Sequence, residues 1–212
     1  MRVVSIQVGR VKTCDGAGGP AKTAIDKRRV RGPIRASRLG LEGDEIADHR
    51  YHGGPERAVL FASLATYPIF EARLGRTLAM GAFGENLTVD GLTDADVAIG
   101  DRFRVGEAEF EVSSPRIPCG TLARHLQDPG AVAAIAEPHR AGWYARVVCE
   151  GCVQEGDPVT RVARPNPEWT VAKLAAAKKA SVGPDVAATI SRLAGLGSDW
   201  VAKFRDRATG TA

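Results

Sequence analysis

Glycine and proline interrupt this sequence so often that long helices have little room to form. The chain has 24 glycines and 12 prolines among 212 residues, and they do not fall in low-complexity repeats. Because glycine readily adopts the left-handed conformations of tight turns, this distribution predicts many turns joined by short strands. Hydrophobic residues make up 44% and charged residues 25% of the chain, which is ordinary globular composition and excludes disordered and disulfide-scaffold classes.

Apolar residues concentrate in short segments that have the length of strands rather than of helices. The predicted strands are 1–12, 23–30, 58–61, 86–89, 102–105, 109–113, 144–148 and 159–162, and two short helices are predicted at 64–74 and 120–125. Three Gly-Asp pairs, at 43–44, 100–101 and 156–157, indicate tight entries into strands, because glycine takes a positive φ and aspartate caps its own turn. Strands outnumber helices and do not alternate with them, so the predicted fold is mainly β and not a doubly wound sheet.

The composition changes after Arg164. Pro165 and Pro167 form a stiff boundary, and the sequence beyond them is rich in alanine. We therefore predict two parts, a β domain at 1–164 and a three-helix extension at 165–212. The expected helices begin with a cap at Thr170, with Pro184 as first residue, and with a cap at Ser198; they end near Lys179, Leu193 and the chain terminus. Three small helices also suit a DNA-binding module. Acidic and basic residues alternate in the last helix, which favours packing or partner docking instead.

The net charge is +4, and basic residues are concentrated early in the chain. They are Lys22, Lys27, Arg28, Arg29, Arg31, Arg35 and Arg38. The cluster is equally consistent with a solvated face and with a site for an anion. Stacking aromatic residues are not interleaved with it, so nucleic acid is disfavoured as a partner.

The number of cysteines and the hydropathy of the sequence indicate in which cellular compartment the protein is expected. Four cysteines are too few for a disulfide framework at this length, and the sequence opens without the pattern of a secretory signal. No apolar stretch approaches the roughly 18 residues that a membrane span requires. We therefore expect a cytoplasmic protein with no membrane partner.

Cys149 and Cys152 form a CxxC motif, for which zinc and redox roles must be weighed. A structural zinc site needs two further ligands, and the sequence has no second CxxC and no HxxxH. A thioredoxin-like pair stands at the start of a helix, whereas residues 153–157 indicate a hairpin turn. We favour a structural role for this pair and keep the other two as alternatives.

Two glycine-containing segments combine turn residues with polar side chains. Residues 48–54 hold His49, Arg50 and His52 beside a double glycine, a pattern in which backbone N–H groups and cationic side chains can converge on an anion. Metal ligation by the two histidines is an alternative, and so is a turn of purely geometric purpose. Residues 81–88 contain Asn86, whose amide offers both a donor and an acceptor suited to the edge of a heterocycle.

The third segment, 114–119, places Cys119 after two prolines and three positions after Arg116. Prolines restrict the backbone and so reduce the entropy lost in holding the thiol in place. A neighbouring cation favours the thiolate, which is the form that attacks electrophiles and binds metals. Free cysteine is often simply buried, but this setting favours a functional role for Cys119.

These segments, in this order, resemble the MOSC family, the molybdenum cofactor sulfurase C-terminal domain. The resemblance rests on residues 50–54 (RYHGG), 84–86 (GEN), 96–101 (DVAIGD), 115–119 (PRIPC) and 142–146 (GWYAR), and it covers most of 1–164. The helical extension resembles that of the bacterial branch linked to hydroxylaminopurine resistance. The resemblance implies a β-barrel-like fold that binds molybdenum cofactor, a pterin dithiolene with a phosphate.

The resemblance also implies roles for particular residues. Cys119 matches the family cysteine and would be catalytic as a thiolate ligand of molybdenum, for which soft sulfur is suited. Residues expected to hold the cofactor, because they fall in the matching segments, are Lys22, Thr23, Arg50, His52, Asn86 and Arg116. Members of this branch reduce N-hydroxylated bases and related compounds by removing oxygen at the metal with two electrons.

The function expected from the resemblance is therefore a molybdenum-dependent oxidoreductase that detoxifies N-hydroxylated nucleobase analogues. No ligand pattern for flavin, haem or an iron–sulfur cluster is visible, so a separate reductase is expected to deliver the electrons. The alternative is a non-catalytic module that carries sulfur as a persulfide on Cys119 or only binds the cofactor. Salt-dependent binding to DNA would favour a third reading, a nucleic-acid-binding module.

Overall fold

The computed structural model describes residues 1–14, 19–50, 52–136 and 140–210. It is mostly sheet with short helices, as the sequence predicts. The strands are β1 Arg2–Val8, β2 Lys12–Cys14, β3 Ala21–Thr23, β4 Arg28–Arg29, β5 Ile34–Ser37, β6 Gly40–Leu41, β7 Val59–Ser63, β8 Leu87–Asp90, β9 Arg102–Val105, β10 Ala108–Pro115, β11 Trp143–Cys149, β12 Gly151–Val153 and β13 Val159–Ala163. The helices are α1 Tyr67–Leu74, α2 Gly120–Leu126, α3 Ala131–Ala136, α4 Val171–Lys179, α5 Pro184–Ile190 and α6 Ser198–Thr209, with 3-10 turns at Pro55–Arg57 and Leu64–Thr66.

An eight-stranded sheet in the order β13-β9-β10-β11-β7-β8-β1-β4 dominates the fold. All neighbours in it are antiparallel except β7 and β8. The start of β1 returns to the start of β13, where the Val3 amide donates to the Asp157 carbonyl at 2.9 Å and the Val159 amide donates to the Met1 carbonyl at 3.0 Å. These bonds, with an isolated bridge between Arg2 and Pro158, bring the start of β1 beside the start of β13.

Two predicted strand features are wrong. The predicted strand 23–30 is divided between β3 and β4, with a non-strand segment between them that forms part of a cavity wall. The pair Gly43-Asp44 does not open a strand, because the described residues between there and β7 contain no strand. Asp101 and Asp157 do cap their own turns, accepting from the amides of Ala98 and Gln154.

Apolar side chains form two cores. The larger lies inside the sheet and includes Phe61, Phe110 and Trp143. The smaller lies between α1, α2 and α3, where Phe83 packs against the rings of Tyr67 and Phe70. This second core supports the segment that carries Cys119, because α2 begins at the following residue.

Three helices follow the sheet, as expected, and their apolar faces join the larger core. Leu174, Ile190 and Phe204, one from each helix, are fully buried there. Thr170 caps α4 as predicted, with its hydroxyl accepting from the Lys173 amide at 3.2 Å. The division into domains at 164/165 stays a prediction. Within the described residues, no helix has the length and apolar character needed to cross a membrane.

The predicted cap at Ser198 is wrong, because Ser198 is the first residue of α6 and Gly197 precedes it without a capping side chain. Glu56, from the 3-10 turn before β7, takes the place of the cap. Its Oε2 accepts from the Ser198 amide at 2.8 Å and from the Ser198 hydroxyl at 2.6 Å. Its Oε1 accepts from Arg146, which also donates to the Gly195 carbonyl at 2.9 Å. A carboxylate at a helix N-terminus is favourable, so this network fastens the helices to the sheet.

We predict that Glu56→Gln lowers the free energy of unfolding by about 1–2 kcal/mol, since it removes charge-assisted bonds at a helix terminus. Burial opposes ionisation of Glu56, but Ser198 and Arg146 together hold its pKa below the usual value. The lost stabilisation is therefore present above the unfolded-state pKa near 4.5 and disappears as the pH falls through the folded-state pKa.

Urea denaturation at pH 7 and in more acidic buffer measures this effect. The matched control is Glu155→Gln, which breaks an exposed ion pair with Arg29 and should leave the urea midpoint nearly unchanged. Equal losses for the two variants would show that Glu56 does not anchor the helices.

Candidate active site

One cavity brings together six of the seven site residues that the sequence predicts. It has a volume of about 110 Å³ and opens to solvent, and we call it the thiol cavity because Cys119 is part of its wall. Lys22, Thr23, His52, Asn86, Arg116 and Cys119 all line it. A neighbouring cavity of about 360 Å³ shares Thr23, Ile25 and Thr121 with it, so the accessible space extends beyond the thiol.

Cys119 ends the loop after β10 and immediately precedes α2, with extended backbone angles. Burial alone would raise the pKa of its thiol. A hydrogen bond from His52 and the positive charge of Arg116 outweigh that effect and lower the pKa to about 6. Cys119 is therefore mostly thiolate at neutral pH, as the sequence segment indicated.

His52 stands between two groups that can exchange protons with it. It hydrogen-bonds to Cys119, and its Nδ1 lies 3.5 Å from the hydroxyl of Tyr144 on β11. Burial is the main reason that the pKa of Tyr144 is raised, so its hydroxyl stays protonated at neutral pH. The arrangement gives the thiolate a neighbour that can hold or return a proton.

Arg116 is buried, with 5% of its surface exposed, and is not fully satisfied. Its backbone amide donates to the Gly142 carbonyl at 2.9 Å, and its Nη2 donates to the Phe83 carbonyl at 3.0 Å. Its Nη1 has no hydrogen-bond partner among the residues that the structure describes. A buried guanidinium with an unused donor is costly unless an anion is bound beside it.

Asp44 is a buried junction in the wall of the thiol cavity. Its Oδ1 accepts from the Gly9 amide at 2.7 Å and from the ammonium of Lys27, and its Oδ2 accepts from Asn86 at 2.9 Å. The side chains of Lys27 and Asp44 are only 6% and 5% exposed. Asp44 thus joins segments that are far apart in the chain, and its side chain does so instead of capping the turn at Gly43-Asp44.

Asn86 lines the cavity, but its side-chain amide is already hydrogen-bonded to other groups of the protein. Its Oδ1 accepts from the Leu60 amide at 3.0 Å, while its Nδ2 donates to Asp44 and, at 3.3 Å, to the Gln7 carbonyl. These contacts show how Asn86 holds the wall together. The proposed recognition of a heterocycle edge by Asn86 stays a prediction.

The carboxylate of the neighbouring Glu85 fixes the conformation of the 81–86 turn. It is fully buried and accepts from the hydroxyl of Tyr67, from the Gly81 amide at 2.9 Å and from the Phe83 amide at 3.1 Å. Gly84 has a φ of +80°, and a Cβ there would lie 2.9 Å from Ile25. Glycine is therefore required at this point of the wall.

The remaining predicted site residues lie at the edge of the thiol cavity or outside it. Lys22 is exposed on β3 and has no ion-pair partner within the described part of the chain, while the Thr23 hydroxyl accepts from the Ile25 amide. Arg50 does not line the cavity; its side chain is 81% exposed and pairs with Asp48. Tyr51, in the same motif, lies outside the described residues.

Sequence reasoning missed several residues of the thiol cavity. They are Lys27, Asp44, Arg57, Thr121 and Tyr144. Tyr144 lies in a segment that carries the family resemblance, Asp44 belongs to one of the Gly-Asp pairs, and Lys27 belongs to the basic cluster, so each had a signal that could have been used. Arg57 had no such signal in the sequence. In the structure its guanidinium carbon lies 6.0 Å from the centre of the Tyr144 ring.

Other features that the sequence predicted lie outside this site. Three of the seven residues of the basic cluster, Arg28, Arg29 and Arg35, form exposed ion pairs, so the solvated-face interpretation describes that part. Cys149 ends β11 and Cys152 lies on β12, next to it along the chain. Among the described residues, no group of three or more His, Cys, Asp or Glu side chains is placed to hold a metal ion.

Comparison with known proteins assigns the family. A MOSC domain model matches residues 48–160. The uncharacterised protein YflK of Bacillus subtilis is 40% identical over 162 residues, which are 76% of this chain and 73% of that protein. The crystal structure of YiiM from Geobacillus stearothermophilus superposes with a TM-score of 0.83 at 30% identity and covers 98% of both chains. The chain therefore belongs to the MOSC domain family.

A further relative has a name that bears on chemistry. A protein named reductase from Gibberella moniliformis is 36% identical over 173 residues. The match covers 80% of this chain but only 30% of the fungal protein.

We predict that alkylation of Cys119 by iodoacetamide follows a titration with its midpoint near pH 6, because only the thiolate reacts. His52→Ala removes the hydrogen bond that lowers the pKa, so the midpoint should move up toward the ordinary value of about 8.5. Mass spectrometry of the Cys119 peptide across pH gives the midpoint.

The matched control is His49→Ala, since His49 does not line the thiol cavity. It should leave the midpoint unchanged. A wild-type midpoint near the ordinary value, or one that His52→Ala does not move, would contradict the assigned contact between His52 and Cys119.

Proposed function

We propose that this protein is a cytoplasmic oxidoreductase that binds molybdenum cofactor and reduces N-hydroxylated nucleobase analogues and related compounds. The observation that carries the proposal is a low-pKa thiol, Cys119, in a cavity that also contains a buried guanidinium with an unpartnered donor. Membership of the MOSC family, which is named after the molybdenum cofactor sulfurase C-terminal domain, supports the choice of cofactor.

The residues of the thiol cavity fit such a cofactor chemically. A thiolate is a soft ligand of the kind that the metal of a dithiolene cofactor accepts, and Cys119 would supply it. The cofactor carries a phosphate, and Arg116 Nη1 and Lys22 offer donors that form no ion pair with an acidic residue in the described part of the chain. Thr23 would hold the cofactor beside them, and Arg50 would extend the basic edge.

Each remaining residue has a role that follows from its contacts. His52 would take the proton that Cys119 loses and keep it near the reacting centre, with Tyr144 as its hydrogen-bond neighbour. Asn86 would keep the cavity wall in place through Asp44. The bound cofactor supplies two-electron removal of oxygen from the substrate, and the electrons come from a separate reductase.

Metal analysis is the direct test. Produced in a host that makes the cofactor, the wild-type protein should contain roughly one molybdenum atom per chain, whereas Cys119→Ser should lose most of it because oxygen is the harder ligand. Cys149→Ser is the matched control, since Cys149 is exposed and lies outside the thiol cavity. Equal molybdenum in Cys119→Ser and wild type would contradict the assigned ligand.

Activity is measured on the same preparations, with a reduced viologen dye in place of the reductase and 6-hydroxylaminopurine as substrate. Wild type and Cys149→Ser should turn over the substrate, and Cys119→Ser should lose at least about 100-fold in rate. Molybdenum-free wild-type protein that carries one extra sulfur on Cys119 in intact-mass spectra would favour the sulfur-carrier alternative instead.

A further inference from the structure

A second cavity lies on the other side of the Pro115–Pro118 segment, between it and the C-terminal helices. Its volume is about 250 Å³, and we call it the tail cavity because α4 and α6 form one side of it. A single water molecule needs only about 10–15 Å³ of such space, so the tail cavity is large enough for a small organic molecule. Its walls are mostly apolar and include Ile117, Ala141 and Ala175.

Asp94 provides a buried acceptor in this apolar setting. It lines the tail cavity and is only 1% exposed. Its Oδ1 accepts from the Gly142 amide at 2.9 Å, and its backbone carbonyl accepts from the Ala172 amide at 2.9 Å, so the residue is fixed in position. Across the described ranges of the chain, its Oδ2 has no hydrogen-bond partner. A buried carboxylate oxygen without a donor is costly, and a donor on a bound molecule would remove that cost.

Burial also keeps this carboxyl group partly neutral. It raises the pKa of Asp94 to about 7, against the hydrogen bond from Gly142 and the charge of Arg140. A donor N–H beside Oδ2 would therefore favour the ionised form of this group, in which Oδ2 is an acceptor.

Three lysines from the C-terminal helices line the same cavity. Lys178 and Lys179 belong to α4, and Lys203 belongs to α6. Within the described part of the chain, none of them forms an ion pair. Burial and the positive charge of Lys203 lower the pKa of Lys178, whose ammonium lies 5.1 Å from the centre of the Trp200 ring. Three positive charges in the wall of one cavity favour an anion there.

We propose that the tail cavity is a binding site for a small organic anion with an apolar body and an N–H donor. The donor is recognised by Asp94 Oδ2, the body by the apolar walls, and the anionic group by Lys179 and Lys203. The inference does not rest on the proposed molybdenum chemistry. Arg116 lines both cavities, so the two sites share one wall.

Binding of 4-aminobenzoate to the full chain, without added cofactor, tests the proposal. This probe has an amino donor, an aromatic body and a carboxylate; benzoate lacks the donor, and aniline lacks the anion. Calorimetry should give a dissociation constant for 4-aminobenzoate on the order of 1 mM or tighter, with both analogues at least about tenfold weaker. Amide shifts in NMR spectra should change at Ala141 and Ala175 rather than at Gly84 and Thr121.

Substitutions test separately what the lysines and Asp94 contribute to binding. The double variant Lys179→Gln, Lys203→Gln alters exposed side chains and should weaken 4-aminobenzoate by about tenfold or more. Asp94→Asn should remove the preference for 4-aminobenzoate over benzoate; the lysine variant keeps the test decisive if Asp94→Asn does not fold. Lys173→Gln is the matched control, because Lys173 is on α4 but outside the cavity, and it should change nothing.

Three results would overturn the proposal: no saturable binding of 4-aminobenzoate, binding that maps to the thiol cavity, or equal affinity in the lysine variant and wild type. Binding of a poly-glutamate peptide in the absence of any 4-aminobenzoate binding would also overturn it, since the lysines would then form a surface for an acidic protein. Molybdenum content does not enter any of these outcomes, so failure here leaves the proposed function untouched.

Discussion

The buried ion pair between Lys27 and Asp44 is the interaction on which the site depends. Both side chains are almost fully removed from solvent, and Asp44 also accepts from the Gly9 amide and from Asn86. Removing one partner of such a pair leaves an uncompensated buried charge and typically costs about 3–5 kcal/mol. Because Asn86 in turn holds the Leu60 amide, this one carboxylate sets the spacing between the parts of the wall that face Cys119.

The polar groups of the wall divide into those that the protein uses and those that it leaves for a ligand. Asp44, Glu85 and Asn86 direct their polar atoms into the protein and give the wall its shape. Arg116 keeps one donor unpartnered, and Cys119 remains a thiolate at neutral pH. A rigid wall that presents few unused groups is what pre-organised binding requires, because little has to rearrange when a ligand enters.

The C-terminal helices are part of this arrangement and not an independent addition. Glu56 and Arg146 join the start of α6 to the sheet, while Leu174 and Phe204 lie in the core that the sheet encloses. The same docking forms the tail cavity. The sequence predicted the helices from their caps and prolines, which are local signals. It did not predict where they dock, because that depends on polar and apolar contacts between residues far apart in the chain.

The sequence by itself determined the predominance of strands, the presence of the three helices, the family, and the short segment that places Cys119 beside Arg116. These properties follow from local patterns and from motifs whose residues are adjacent. Only the tertiary structure decided that Asn86 serves the wall through Asp44, that Arg50 lies outside the cavity, and that Tyr144 reaches His52. It also decided the environment of Asp94, since burial and hydrogen-bond partners arise from residues that come together only when the chain has folded.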